Sequence, residues 1–349
     1  MKTPLIGKTL SEIQSEVVNL GLKSYVAKQL TYWIYNKGID DFYEMFNISK
    51  VNQKLLDEHF DIKKNFPVDV KISSDGTKKY LFKTKKENYI ESAYIPDEKR
   101  HTLCISSEAG CKMGCIFCNT GKQGFQESLS TKDIINQINA IPERDLITNI
   151  VFMGMGEPFN NFDNVINALE ILTAEYGFKI GKRKITVSTV GIVPKITEFL
   201  AKSDCNLAIS LHTPFEAERD ELMPINKKYP ISEILKTLRA HDWGKQRRVS
   251  FEYIMFKRYN DSDKHLKELT RILNGMRCII NLISYHSVPG EKFESPNRQA
   301  MEEFRDKLSD KGFSTTIRTS RGQDIDAACG LLSTKALFNG ELRVENGEL

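Results

Sequence analysis

The sequence has no apolar run close to the roughly 18 residues that a membrane-spanning helix needs, and it has no internal repeat or low-complexity stretch. Its first ten residues lack the apolar core of a signal peptide, because Lys8 interrupts the only short apolar run. Charge of neither sign dominates, since 50 Lys and Arg face 46 Asp and Glu, which leaves a net charge of +4 over 349 residues. These features predict a globular, cytoplasmic protein.

Cysteine is sparse, with seven residues in the chain. In a reducing compartment such thiols serve metals or catalysis more often than structural disulfides. Cys205 and Cys278 begin apolar strands and are expected to be small core residues. Cys104 precedes a loop with three further cysteines, and Cys329 lies in the small-residue segment DAACGLL, which could reach an active site.

Residues 1 to about 62 have the pattern of helices. Ser11 and Gln14 have the spacing of a capping box, and a second helix fits Ser24 to Tyr35. The segments VDVKISS and KKYLFKTK flank Asp75-Gly76, which predicts a β-hairpin. Eight lysines between residues 63 and 86, minus two aspartates, give this hairpin region a charge of +6. The lysines indicate either a solvated face or a wing that binds phosphates.

From residue 100 onward, short apolar strands alternate with amphipathic helices. The strands are HTLCIS, NIVFMG, KITVST, NLAIS, VSFEYIM and CIINLIS. Repeated strand–helix units predict an α/β fold with a parallel sheet, here a partial or complete barrel of the TIM type with six units. Active residues of such a barrel are expected on the loops after the carboxyl ends of the strands.

The first barrel strand leads to Cys111, Cys115 and Cys118, a C-x-x-x-C-x-x-C loop. Three neighbouring thiolates repel one another unless a cation balances them. Zinc would need a fourth ligand, for which Cys104 is a candidate, whereas a [4Fe–4S] cluster on three cysteines leaves one iron open. The spacing resembles the signature of the radical S-adenosylmethionine (SAM) enzymes, whose open iron binds the amino and carboxylate groups of SAM.

Further motifs follow the other strands. In MGMGEP, Gly154 and Gly156 allow the backbone to approach a ligand closely, and Glu157 could accept a hydrogen bond from the SAM ammonium group. The third, fourth and sixth strands end at polar residues, which together predict a wall of the SAM site: Ser188, Ser210-Leu211-His212 and His286.

The whole set of motifs resembles the radical SAM RNA adenine-C2 methyltransferases of the RlmN type, of which the Cfr-type C8 methyltransferases are relatives. The matching stretches are QLTYWIYNKGIDDFYEMFNISK, ESAYIPDEKRHTLCISSEAGCKMGCIFCNTGKQGF, MGMGEPFNNFDNV, KITVSTVGIVP, LAISLH and DAACG. This resemblance implies a radical SAM partial (β/α)6 barrel over residues 97–318. It also implies a helical and hairpin RNA-binding accessory domain over residues 1–96, and a C-terminal segment over residues 319–349.

The resemblance also implies roles for individual residues. The cluster ligands are Cys111, Cys115 and Cys118, and the SAM-contacting positions are Gly156, Glu157, Ser188, Ser210, Leu211 and His212. Cys329 is the cysteine that is methylated and carries the methylene group to RNA, Cys104 is its resolving partner in a disulfide, and Glu91 is the proton acceptor. His286 departs from the family, where Asn is frequent at this SAM-contacting position.

The implied reaction uses two SAM molecules per turnover and one [4Fe–4S] cluster, and it proceeds through a methyl-cysteine and a covalent RNA–enzyme adduct. Its target is carbon 2 of one adenosine in the peptidyl-transferase region of 23S rRNA and of the adenosine 3′ to the anticodon in certain tRNAs. An electron donor such as flavodoxin or ferredoxin and a monomeric state are also expected. Phosphate contacts are expected at the lysine-rich hairpin and at Arg239, Lys245, Arg247 and Arg248.

Two alternatives remain at this point. One is C8 methylation of the same rRNA adenosine, which would confer resistance to ribosome-targeting antibiotics. The other is a zinc-stabilised RNA-binding protein without redox chemistry.

Overall fold

The computed structural model describes residues 2–244, 248–286, 292–318 and 321–325. Within these ranges, no helix is both long enough and apolar enough to cross a membrane. The strands are β1 Thr3–Pro4, β2 Phe60–Asp61, β3 Asp69–Ile72, β4 Lys78–Lys83, β5 Tyr89–Pro96, β6 His101–Cys104, β7 Glu108–Gly110, β8 Phe125–Ser128, β9 Asn149–Phe152, β10 Ile185–Thr189, β11 Asn206–Ser210, β12 Val249–Met255, β13 Cys278–Ser284 and β14 Ser314–Arg318. The helices are α1 Leu10–Asn19, α2 Tyr25–Thr31, α3 Lys50–His59, α4 Asn119–Lys122, α5 Thr131–Asn139, α6 Phe162–Thr173, α7 Val193–Lys202, α8 Glu216–Leu222, α9 Ile231–Ala240, α10 Asp263–Leu273 and α11 Arg298–Asp310.

The N-terminal region is helical, as the pattern predicts, but its first helix begins two residues earlier than expected. Thr9, not Ser11, is the N-cap of α1, and Glu12 completes the capping box by accepting from the Thr9 backbone N–H at 2.7 Å. In the helix that follows, Ile13 and Val17 are one turn apart and both are buried against the core. The predicted second helix is α2, and a π-helical turn over Tyr32–Asn36 extends it.

Ten strands of the described residues form one sheet in the order β14-β13-β12-β11-β10-β9-β6-β5-β4-β3. From β6 to β14 all neighbours are parallel, whereas β3, β4 and β5 are antiparallel. The hairpin is therefore confirmed, and β5 continues directly into the barrel sheet by pairing with β6. The expected domain boundary at residues 96 and 97 falls between these two hydrogen-bonded strands.

The parallel part of the sheet confirms the predicted partial barrel and adds one strand to it. All six predicted strands are present, and β14 pairs with β13 as a seventh. The sheet stays open, since β14 and β3 are its two edges. Cys205 and Cys278 are buried at the starts of β11 and β13, as expected of core residues.

The hairpin turn contacts the last described residues of the chain. Asp75 accepts a hydrogen bond from the Gly322 N–H at 2.9 Å. Asp324 accepts from the Ser73 hydroxyl and from the Ser74 N–H at 3.0 Å. The turn next to β4 is thus tied to the segment that follows β14, so the two sides of the open barrel are connected.

Candidate active site at the carboxyl end of the barrel

The three loop cysteines lie between β7 and α4, and β8 closes the loop by pairing with β7. The loop is held at its base, where the Cys111 N–H donates to the Gly124 carbonyl at 3.0 Å. Gly110 adopts a φ of 68° there, and an added Cβ would lie 1.8 Å from the Gly124 oxygen. Only glycine is compatible with this closure.

The thiols of this loop are surrounded by apolar side chains. Cys115 is buried in one cluster with Met113, Leu222, Met223, Phe256 and Tyr285, against which Cys111 and Cys118 also pack. Burial raises the pKa of Cys111 to about 12, and burial together with the two neighbouring thiols raises that of Cys115 further. Three thiolates are therefore stable here only with a bound cation.

The donor set fits a soft metal centre such as an iron–sulfur cluster, because thiolates in an apolar shell are its usual ligands. No three His, Cys, Asp or Glu side chains of the described residues already converge in metal-binding geometry. Cys104 lies outside the loop, on β6 between Ala93 of β5 and Val151 of β9.

The MGMGEP segment follows β9 and packs against the connection between β6 and β7. The Gly154 N–H donates to the Ile105 carbonyl at 3.1 Å. Gly156 has a φ of 94°, and a Cβ there would lie 2.5 Å from Cβ of Glu108. Both glycines are thus required by close packing of two backbone segments, which brings Glu157 to the barrel end.

Glu157 is a buried carboxylate at the predicted SAM site. It accepts hydrogen bonds from the Thr189 hydroxyl at 2.6 Å, from the Val190 N–H at 2.9 Å and from the Phe159 N–H at 3.0 Å. Burial nevertheless raises its pKa to about 7. The partner Thr189 was not singled out by its sequence, although it directly follows Ser188 at the same strand end.

The raised pKa of Glu157 predicts that SAM binding depends on pH. The resemblance implies that the Glu157 carboxylate accepts from the SAM amino group; only the ionised form would do so, and this form is lost as the pH falls below its pKa of about 7. We expect the affinity of the cluster-loaded protein for SAM to fall by up to about tenfold from pH 8 to pH 6. Calorimetric titration measures this, with Glu157→Gln as the control that lacks the titrating group. If the wild-type and Gln proteins show the same pH dependence, the assignment of Glu157 to the SAM site is wrong.

The ends of β10 and β11 lie beside Glu157. Ser188 and Ser210 share their strand faces with Thr186 and Asn206, which line the barrel interior. Leu211 is buried behind this rim. These positions agree with a wall at the carboxyl end of the barrel.

His212 continues this wall as a neutral, buried imidazole. Burial, with a smaller effect of the Arg219 charge, lowers its pKa to about 3. Its Nδ1 accepts from the Ile254 N–H at 3.1 Å, which places the ring proton on Nε2. The residue has a φ of 61°, and its ring meets Phe117 of the cysteine loop edge to face at 5.0 Å. His212 therefore connects the strand end to the loop.

The barrel encloses a cavity of about 800 Å³. His286 lines it after β13, where partial desolvation lowers its pKa. A polar cluster inside the cavity was missed by the sequence reasoning: the buried Glu252 accepts from Asn281 at 2.8 Å and from Arg318 at 3.3 Å. Its signal was the single carboxylate in the apolar strand VSFEYIM.

Glu91 lies on β5, where its carboxylate is buried and forms an ion pair with Lys79 at 2.7 Å. It shares a strand face with Ala93, which lines the cavity and is paired in register with Cys104. Glu91 and Cys104 thus face the barrel interior together. Lys79 faces the same side and is almost fully buried, so it is not one of the phosphate-binding groups of the hairpin.

The remaining predicted residues are either outside the described ranges or not placed as phosphate contacts by their surroundings. Cys329, Lys245 and Arg247 are outside the described residues. Arg239 is exposed on α9 and donates to the Ile272 carbonyl, whereas Arg248 lines the cavity.

Comparisons with known proteins agree with this geometry. Residues 105–270 match the family model of the radical SAM superfamily, and residues 3–62 match that of the ribosomal RNA large subunit methyltransferase N-terminal domain. A probable dual-specificity RNA methyltransferase RlmN of Phocaeicola vulgatus is 51% identical over 95% of this chain and 95% of its own length. The dual-specificity RNA methyltransferase RlmN of Pseudomonas fluorescens is 41% identical over 95% of this chain and 90% of its own. The crystal structure of a radical SAM methyltransferase from Sphaerobacter thermophilus covers 94% of this chain and 98% of its own, with 36% identity and a TM-score of 0.88.

Proposed function

The chain belongs to the RlmN-type radical SAM RNA methyltransferases, and we propose that it methylates carbon 2 of adenosine in 23S rRNA and in tRNA. As a member of that family it is a SAM-dependent RNA methyltransferase, which excludes the zinc protein without redox chemistry. The observation that carries the proposal is the 51% identity, over 95% of this chain, to a relative named as a probable dual-specificity RNA methyltransferase. Both the N-terminal and the radical SAM family models also match this chain.

The cluster and SAM would be held at the carboxyl end of the barrel. Cys111, Cys115 and Cys118 would ligate the cluster, and Gly156, Glu157, Ser188, Ser210, Leu211 and His212 would contact SAM, with His286 beside them. When bound, these groups supply one-electron chemistry, which adenine needs because its C2 is electron-poor and does not attack the methyl group of SAM. The apolar shell around the loop thiols excludes water from this chemistry.

Three residues of the chain would act on RNA. Cys329 would accept a methyl group on sulfur. After the one-electron chemistry of the site removes one hydrogen atom from that methyl group, the remaining methylene carbon would bond to adenine C2. Glu91 would remove the C2 proton as the adduct gives up one electron, and its ion pair with Lys79 holds its carboxylate on the inner face of β5. The Cys104 thiolate would then attack the sulfur of Cys329: the S–S bond forms, the S–CH2 bond breaks, and the methylene carbon keeps the electron pair and takes up a proton, which releases the methylated RNA and leaves a disulfide.

The described part of the C-terminal segment, residues 321–325, reaches the cavity. Ile325 follows the residues that the hairpin turn holds, and Arg321 of this segment lines the cavity. Cys329 follows Ile325 by four positions in the sequence and is outside the described residues.

Mass spectrometry of rRNA and tRNA nucleosides tests the proposal. RNA from cells without the gene is expected to lack 2-methyladenosine at the rRNA and tRNA target positions, and re-expression should restore it. Appearance of 8-methyladenosine in the rRNA instead would establish the C8 alternative. If the target adenosines have the same methylation in cells with and without the gene, both the C2 and the C8 activity are contradicted.

The exposed lysines of the hairpin region predict a salt-dependent contribution to RNA binding. Lys63, Lys71, Lys85 and Lys86 are exposed, although Lys71 and Lys86 also lie near Asp69 at 3.5 Å and Glu127 at 3.7 Å. Lys78 and Lys79 instead form shorter ion pairs with the buried Glu143 and Glu91. We expect Lys85→Gln/Lys86→Gln to reduce the slope of log Kd against log salt by about 1 to 2 without changing the methylated base. Filter binding at several salt concentrations measures the slope.

The matched control for this prediction is Lys236→Gln/Lys267→Gln, which removes two exposed lysines from α9 and α10. Its slope should equal that of the wild-type protein. Equal slopes for the hairpin variant and the control would show that the hairpin lysines do not contact phosphates.

A further inference from the structure

Arg219 is a fully buried arginine on α8 to which none of the roles above has been given. Its guanidinium donates Nη2 to the carbonyl of Val190 at 2.6 Å and to that of Ser210 at 2.8 Å, and Nε to that of Leu211 at 3.3 Å. Nη1 donates to Oδ1 of Asn226 at 2.7 Å. These four acceptors explain how a buried cation is tolerated. They do not explain why a cation is there, because all four are neutral.

The charge of Arg219 has no direct carboxylate partner among the described residues, since none of their ion pairs includes it. Asn226 separates it from the nearest acids by donating to Asp220 at 2.7 Å and to Glu216 at 2.9 Å. Glu216 and Asp220 therefore act on the Arg219 charge through space and through Asn226, without a direct ion pair.

The helix that carries Arg219 also contacts the cysteine loop. The carbonyl of Leu222, the last residue of α8, accepts from the Ile116 N–H at 3.1 Å. Leu222 packs in the same apolar cluster as Cys115. The helix that carries Arg219 therefore contacts the cysteine loop, while its guanidinium holds the two strand ends that face the SAM site.

We propose that Arg219 is a positioning residue that ties the cysteine loop to the SAM-facing ends of β10 and β11, and that its fixed positive charge stabilises the reduced cluster. The proposal rests on the cluster and SAM that the family implies, and not on which RNA base is methylated. A cation at a site of low dielectric favours the added electron, so it makes the reduction potential less negative. The planar guanidinium donates from three separate nitrogens: Nη2 to the carbonyls of Val190 and Ser210, Nε to that of Leu211, and Nη1 to Asn226. The single ammonium nitrogen of lysine cannot reach all of these positions.

Two variants of the cluster-loaded enzyme separate the effect of the positive charge from the effect of the guanidinium hydrogen bonds. Arg219→Met removes both, and we expect at least about a tenfold lower ratio of reduced to oxidised cluster at the same applied potential, equivalent to about 59 mV for one electron. Arg219→Lys keeps the charge, and we expect a potential near that of the wild type but about fivefold weaker SAM binding. Redox titration followed by electron paramagnetic resonance gives the potential, and calorimetry gives the SAM affinity.

The control is Arg271→Met, which removes an arginine from α10 whose side chain is 70% exposed, and it should change neither quantity. An Arg219→Met enzyme with wild-type potential and wild-type SAM affinity would overturn the proposal. If that variant does not fold, Arg219→Lys decides, because wild-type SAM affinity in the Lys variant contradicts the positioning role. Both measurements are made without RNA. A negative result would therefore contradict the role of Arg219 without bearing on whether the enzyme methylates adenosine C2.

Discussion

Replacing Cys329 by alanine is expected to abolish methyl transfer to RNA, with a loss of at least about a thousandfold. The reason is chemical, because in the proposed route every methyl group passes through the sulfur of this residue. Among the described thiols outside the cluster loop, only Cys104 faces the barrel interior. SAM cleavage by the loaded enzyme should continue, because the cluster loop and Glu157 are unchanged. Methylation of an rRNA fragment with labelled SAM measures the first quantity, and release of the adenosyl product measures the second.

Cys278→Ala is the matched control for this prediction. It removes a thiol that is 7% exposed at the start of β13, away from the carboxyl end of the barrel. This variant should methylate RNA at a rate close to that of the wild type. Methyl transfer by Cys329→Ala at the rate of the control would defeat the assignment of Cys329.

Replacing Cys104 by alanine is expected to trap RNA on the enzyme in a near-stoichiometric covalent adduct. Cys104 is paired in register with Ala93, two residues from Glu91, so the proposed resolving thiol and proton acceptor lie on one face of β5 and β6. Without the resolving thiol, the bond between Cys329 and adenine C2 has no route to cleavage. A denaturing gel after one turnover should show a shifted protein band that disappears after ribonuclease treatment.

The double variant Cys104→Ala/Cys329→Ala serves as the control, because it lacks the sulfur that would carry the RNA and should form no adduct. Free enzyme after turnover by the single Cys104→Ala variant would count against the resolving role. A shifted band in the double variant would place the bond on another residue.

The part of the fold that follows simple periodicity was predictable from the sequence. The hairpin at Asp75-Gly76 and the six apolar strands are present because their alternation and turn residues match the local backbone. The seventh strand, β14, was missed because Ser314–Arg318 is mostly polar, as befits an exposed edge. An apolar run is the signal of a central strand, and an edge strand lacks it.

The positions of the site residues were predictable to the extent that parallel strands bring their carboxyl ends together. This rule placed Glu157, Ser188 and Ser210 at one end of the barrel. It could not reveal partners from distant parts of the chain. Lys79 stands in a run of lysines that resembles a solvated face, and only its register opposite Glu91 shows that it is buried.

Arg219 was missed for a similar reason. Its neighbours Glu218, Asp220 and Glu221 give the segment the composition of a surface helix. Its burial results from packing of α8 between two strand ends and the cysteine loop, which is a tertiary effect.

The most direct test of the account is Mössbauer and electron paramagnetic resonance spectroscopy of protein purified without oxygen. The account predicts a [4Fe–4S] cluster whose spectrum changes when SAM is added, as expected of one iron without a protein ligand. It further predicts that the cluster is lost when Cys111, Cys115 or Cys118 is replaced by alanine. A colourless zinc protein, or a cluster whose four irons all have protein ligands and do not respond to SAM, would contradict it.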